Sequence, residues 1–345
     1  MATRNTRNVG RLALVLTIAL AAAHHAAAQG YKFVDFDGLG DHAGGTTING
    51  INNLGQEVGF STNTGDATFT NFVRNADGTF TALNGTNGLL NTEQANGINN
   101  AGTVVGSNGD NGAFSFAKGG TPTNLALADP GNTTSQVAFG INDNGAIVGQ
   151  YVNTDTGNTP GFLLSGGAFT LFTPTTNPAT IVTNVQGINN NGIAVGFDSP
   201  NGTNQHGFVW NTGTNAATQI ADPSTPRITV GGLVLTQFLG VNDNGTAVGY
   251  YQTTNGSQFG FLYSLTNSKY TYLDDSNAVP VNGVQITQIT GIDNRGDLAG
   301  FSQDGNGIQH GFIATVAPES GSLALLLAPA ALAVGITLRR RTRSA

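Results

Sequence analysis

Val, Ile, Leu and Phe recur at regular positions along the chain, in short runs separated by turns rich in Gly, Asn and Thr. The clearest unit is Gly50-Ile51-Asn52-Asn53-Leu54-Gly55, and counterparts begin at Gly97, Gly140, Gly187, Gly240 and Gly291. Successive copies start 47, 43, 47, 53 and 51 residues apart. In each copy Asn or Asp favours turn geometry. The closing glycine (Gly55, Gly102, Gly145, Gly192, Gly245 and Gly296) supplies the positive φ of a tight hairpin. Four residues later a second glycine recurs, at 59, 106, 149, 196, 249 and 300, each after an apolar residue such as Val58 or Val195. A glycine inside a strand marks the close approach of another backbone.

An aromatic strand follows in every copy, for example Gly207-Phe208-Val209-Trp210 or Gly260-Phe261-Leu262-Tyr263. After a further turn comes a fourth strand, such as Phe169-Thr170-Leu171-Phe172. The unit is therefore four short antiparallel strands, the size and content of a propeller blade. The sixth copy stops after its aromatic strand, while Tyr31-Lys32-Phe33-Val34-Asp35-Phe36 reads as a strand without a unit of its own. Pairing the two would remove the open edges of the array. The predicted architecture is an all-β, six-bladed propeller over residues 30–316, its last blade closed by the N-terminal strand. The competing arrangement is an open β-solenoid, whose repeats are normally shorter and more uniform.

Composition supports strands. Fifty glycines and only 10% charged residues disfavour helices, and the absence of cysteine removes disulfides, thiolate metal sites and cysteine nucleophiles together. The net charge of −7 conceals an asymmetry, because Arg4, Arg7 and Arg11 lie near the start and Arg339, Arg340, Arg341 and Arg343 near the end. Between them, with Glu319 of the tail set aside, stand six basic and nineteen acidic residues, a body of about −13. Such a surface repels phosphate backbones, which argues against nucleic acid as a partner.

The two ends read as addresses. Basic residues, the apolar run Leu12 to Ala23 and then Ala26-Ala27-Ala28 before Gln29 make residues 1–28 a secretory signal cleaved after Ala28. A membrane anchor is the alternative, but the run is shorter than the ~20 residues a span needs. Residues 317–345 carry Pro318-Glu319-Ser320, an apolar stretch from Ser322 to Leu338 that predicts a single hydrophobic helix, and a terminal arginine cluster. This tail resembles a PEP-CTERM sorting signal, although Ser320 stands where the usual tripeptide has a second proline. The resemblance implies transient membrane anchoring with processing by an exosortase-type enzyme after signal peptidase, and hence a secreted or cell-surface location. A plain anchor is the competing reading of the tail. The repeats resemble the HAF family of extracellular repeats, in which a Gly-Ile-Asn-x-x-Gly-x-x-Val-Gly hairpin precedes a His-Ala-Phe strand. Here that strand reads His206-Gly207-Phe208 and His310-Gly311-Phe312, while other copies have Thr70, Gly112, Pro160 or Phe259 in place of the histidine. The family brings no established activity with it.

Candidate chemistry is sparse. The body offers His42, His206 and His310 and two glutamates, Glu57 and Glu93. Neither a Gly-x-Ser-x-Gly elbow nor a His-Glu-x-x-His motif occurs. His206 and His310 occupy equivalent positions in non-adjacent units and so do not predict a metal site. Asp35-Phe36-Asp37-Gly38, Asn108 to Gly112 and Asp304 to Gly307 offer oxygen ligands for calcium, but none forms a full calcium loop and turn chemistry accounts for each. No catalytic residue, cofactor or metal is predicted. The expected function is a non-enzymatic scaffold or binding protein of the cell envelope or exopolysaccharide matrix, with extracellular polysaccharide as candidate partner. The connections after the second and fourth strands should share one face, and Asp222 to Thr236 and Asp274 to Thr287 are the longest. The alternative is a carbohydrate-active propeller enzyme, which would require carboxylates, or a histidine and a carboxylate, converging at the central channel.

Overall fold

Six copies of one strand-turn-strand pattern fold into six four-stranded antiparallel sheets. The computed structural model describes residues 30–40, 43–64, 68–85, 88–108, 112–125, 133–153, 157–174, 182–200, 204–224 and 232–317. The signal residues Ala26, Ala28 and Gln29 and the sorting residues Pro318, Glu319, Arg339, Arg340 and Arg341 lie outside the described residues, as do His42 and the predicted C-terminal helix. In blade one the strands run Thr46–Ile51, Glu57–Thr62, Phe69–Arg74 and Phe80–Ala82, from first to fourth. The first strands of blades two to six are Gln94–Ile98, Thr133–Ile141, Val182–Ile188, Leu233–Val241 and Thr287–Ile292. Blade six takes its fourth strand from Tyr31–Phe36, paired from Tyr31↔Val316 to Phe36↔Gly311. The array is thus a closed propeller with a split last blade, and the open solenoid is excluded.

The recurrent glycines explain how the strands fit. All six motif-closing glycines have positive φ, between 73° at Gly55 and 89° at Gly296. Each first strand carries a bulge just before its motif glycine, as between Ile48 and Gly50 or Val185 and Gly187. The bulge pushes a carbonyl towards the second strand, where a Cβ on Gly196 would overlap the carbonyl oxygen of Asn184; the other five copies behave alike. Glycine is the residue that leaves this space empty.

Between blades the packing is apolar. The aromatic-strand residues Phe72, Phe114, Phe162, Phe208, Phe261 and Phe312 are completely buried. Burial of one such ring stabilises the fold by roughly 1.5–3 kcal/mol. The glycine before it admits the next blade: a Cβ on Gly207 would overlap the ring of Phe238, and one on Gly311 would come within 2.8 Å of Ile48. An alanine at this position would not fit these two junctions without movement.

At one repeat position a buried carboxyl group interrupts the apolar pattern. Glu57 stands where other blades have Val104, Ile147, Ala194, Ala247 and Leu298, and it pairs with Arg74 at 3.0 Å. The Arg74 guanidinium lies over the ring of Phe36 at 4.5 Å, so the pair also supports the N-terminal strand. Burial outweighs the attraction of Arg74 and pushes the Glu57 carboxyl up to about 7. Asp35 rises to about 6, through burial and then the neighbouring charge of Asp275. For His310 burial acts downward, but hydrogen bonds and charges from Asp37 and Asp304 carry it above its ordinary value. In all three the native state keeps its proton to higher pH than the unfolded chain. Their contribution is complete below the unfolded values and is lost as pH rises through the folded ones. The exposed Asp77 and Asp304, lowered by turn hydrogen bonds, oppose this only in the acid range. Thermal stability should therefore fall between pH 5 and pH 8, with Glu57 accounting for about 3 kcal/mol. Glu57→Gln should flatten the slope in a pH series of melting curves; a midpoint that rises over this range would contradict the assignment.

Candidate functional site

Around the axis the motif amides connect blades rather than merely shaping turns. The Asn52 Oδ1 accepts the backbone N–H groups of Leu54 and Gln56, while its Nδ2 donates to the Asn99 carbonyl of the next blade at 2.9 Å. Asn99, Asn142, Asn189 and Asn242 repeat the inter-blade bond at 2.9–3.2 Å. The sixth copy has Asp293, which lacks an N–H to give. There Arg295 pairs with Asp293 at 2.7 Å and leans towards Gly55 of blade one.

A second ring, one residue further on, closes completely. The backbone N–H of Asn53 donates to Oδ1 of Asn100, and the same step passes through Asp143, Asn190, Asp243 and Asn294 back to Asn53, at 2.7–2.9 Å throughout. The other oxygens of Asp143 and Asp243 each accept two side-chain amides, with Asn190 bridging both at 3.0 and 2.9 Å. Two carboxylates therefore do reach the channel, on the motif face. Their oxygens are committed to the ring, which leaves neither poised as acid or base.

The two described histidines lie beside carboxylates away from the axis. His206 Nδ1 lies 3.3 Å from Asp222, and His310 Nδ1 lies 2.6 Å from Asp37, with Asp304 at 3.5 Å from its Nε2. Two of the three segments considered for calcium thus meet at His310. Asp304 Oδ1 also accepts the N–H groups of Asn306 and Ile308, so it shapes its own turn. Asp275 bonds Ser302 Oγ at 2.7 Å and the Asn277 N–H at 2.8 Å, and at 3% exposure it is closed to a substrate. Glu93 accepts the Leu90 N–H and is likewise structural. Among the described residues no group of three or more His, Asp or Glu is arranged to hold a metal.

The opposite mouth of the channel is different. It lies on the face that carries the connections after the second and fourth strands, as their positions in the repeat require, and it encloses about 270 Å³. Its wall comes from three repeat positions. The residue before the motif glycine contributes Asn49, Asn96, Phe139, Gln186, Leu239 and Thr290. Two residues earlier stand Gln94, Gln237 and Gln288, and the residue after the second-strand glycine adds Phe60, Phe197 and Phe301. Among the described residues, the lining contains no ionisable side chain. On the side of blades six, one and two, Thr290, Asn49 and Asn96 each donate to a carbonyl of the next blade. On the far side Gln186 stands between Phe139 and Leu239, and no hydrogen bond engages its side chain among the described residues.

Sequence reasoning did not single out Gln186 or Gln94. The available signal was variability inside a constant repeat: the residue before the motif glycine changes between polar and apolar, while the glycine after it is constant and the residue before it is always apolar. The bulge at this residue shifts the alternation of strand faces, so which residues face the channel could not be read from period-two patterning.

No protein-family model matches the chain, and no curated protein sequence matches it. Solved structures with a similar course of the backbone include the Aleuria aurantia lectin, described as a six-bladed β-propeller with a novel fucose recognition mode; it is 10% identical, with 84% of this chain and 97% of that one covered and a TM-score of 0.41. TolB from Acinetobacter baumannii is 7% identical with a TM-score of 0.43, covering 76% of this chain and 64% of that one. A prolyl endopeptidase is 12% identical with a TM-score of 0.45, covering 79% and 42%. The chain thus spans less than two thirds of the length of the latter two. Likeness this distant carries no argument about chemistry.

Proposed function

We propose that the protein is an exported, surface-sorted, non-enzymatic propeller that binds extracellular polysaccharide in the cell envelope or matrix. The observation that carries this reading is the contrast between the two channel mouths. On the motif face the Asn and Asp side-chain oxygens of the closed ring, from Asn53 to Asn294, are spent on joining blades. On the other face the described residues line a cavity with amides and rings and supply no titratable group for acid-base chemistry. Export rests on the leader and tail motifs, and the acidic body suits a soluble protein among neutral polymers. Purified protein should be retained on neutral bacterial polysaccharides in affinity electrophoresis and should release no new reducing ends. Cleavage products would overturn the non-enzymatic reading. Failure to be retained on any polysaccharide would overturn the binding one.

A further inference from the structure

We infer that the cavity on the face opposite the motif is an end-on site for one uncharged sugar unit, a chain terminus or branch, with Gln186 and Gln94 as its hydrogen-bonding residues. The inference deepens the polysaccharide-binding reading and rests on it.

The first argument is depth. The cavity of 270 Å³ leads into spaces of only 70 and then 60 Å³. At that level the first strands converge so closely that a Cβ on Gly97 would come within 2.6 Å of the Phe139 carbonyl, and the amide ring stands just beyond. A polymer cannot thread such a channel. Its volume also falls just below the ~300–1,000 Å³ of pockets for drug-sized ligands. Only a terminal unit can occupy it.

The second argument is chemistry. Among the described residues the lining offers neither cation nor carboxylate, so an anionic sugar or an ammonium would lose its hydration without gaining a partner there. A carboxamide presents a donor and an acceptor side by side, which suits neighbouring hydroxyl groups. Gln94 and Gln186 both line the cavity with side chains that make no hydrogen bond among the described residues. Gln237 and Gln288, by contrast, already donate to Gln205 and Gln258. Phe60, Phe197 and Phe301 add apolar ring surface for the C–H faces of a pyranose. An unpaired amide between Phe139 and Leu239 gains most when a ligand supplies its partner.

The test is titration of neutral oligosaccharides that share an internal sequence and differ in the terminal unit, with uronic-acid-terminated counterparts alongside. Binding should depend on the terminal unit, be competed by the matching methyl glycoside and be absent for the acidic series. Gln186→Leu and Gln94→Leu should each weaken it about five- to tenfold, whereas Leu54→Ser, on the motif face, should leave it unchanged. Melting curves establish that each variant is folded, and Gln186→Asn provides a second, milder probe of the same amide. If oligosaccharides bind but neither glutamine variant alters affinity, or if internal sequence alone decides binding, the end-on site is wrong while polysaccharide binding stands. If no polysaccharide or oligosaccharide binds, the parent reading itself fails.

Discussion

Gly196→Ala is expected to abolish the folded propeller. The added methyl would overlap the Asn184 carbonyl oxygen and lie 2.9 Å from both the Asn184 carbonyl carbon and Phe208 Cζ. Neither neighbour can retreat. The carbonyl belongs to a bulged strand that packs against blade five, and the Phe208 ring is completely buried. Relief would require separating the first two strands of blade four, and with them the core on both sides. The loss should exceed about 4 kcal/mol, the range reserved for disrupted cores, a large part of the stability of an ordinary domain. Circular dichroism and urea unfolding would measure it. Gly213→Ala is the matched control, because a Cβ there meets only Asn211 Oδ1, at 3.5 Å. It should change stability by no more than about 0.5 kcal/mol. Equal behaviour of the two variants would refute the close-approach explanation.

Removing Gly30–Phe36 should open the ring. This strand supplies six paired positions to blade six, places Phe33 against Phe312 at 5.0 Å and lets the Tyr31 hydroxyl donate to the Gly296 carbonyl at 3.2 Å. It then runs directly into blade one, where the Gly38 N–H donates to Thr46 Oγ1 and Phe36 meets Phe80 at 6.0 Å. One segment therefore clasps the first blade to the last. The burial contributed by the three part-buried aromatic side chains Tyr31, Phe33 and Phe36 would be lost, together on the order of 3–5 kcal/mol, and the strand Gln309–Val316 would become an open edge. Open edges recruit other strands. Size-exclusion chromatography should show self-association, and the melting transition should fall and broaden. A truncated protein that stays monomeric with an unchanged midpoint would show that closure does not depend on this strand.

Much of this architecture is legible in the residues alone. The six motif glycines announce six hairpins because only a positive φ closes that turn. The second glycines announce close approach, and a unit short of one strand together with a strand lacking a unit announces the closure. These features are local, or nearly so. Tertiary structure decided what the sequence could not. Asn190 joins two carboxylates from neighbouring blades, and His310 gathers Asp37 from the N-terminal strand's end beside Asp304. The carboxylates that Asn190 joins each lie a blade away, and Asp37 and His310 lie 273 residues apart in the chain, so no local pattern links them. Gln186 shows the limit most clearly. The residue type and its place in the repeat are visible, but a single bulge determines whether it faces the channel or the next blade, and only the closed ring makes that channel a cavity.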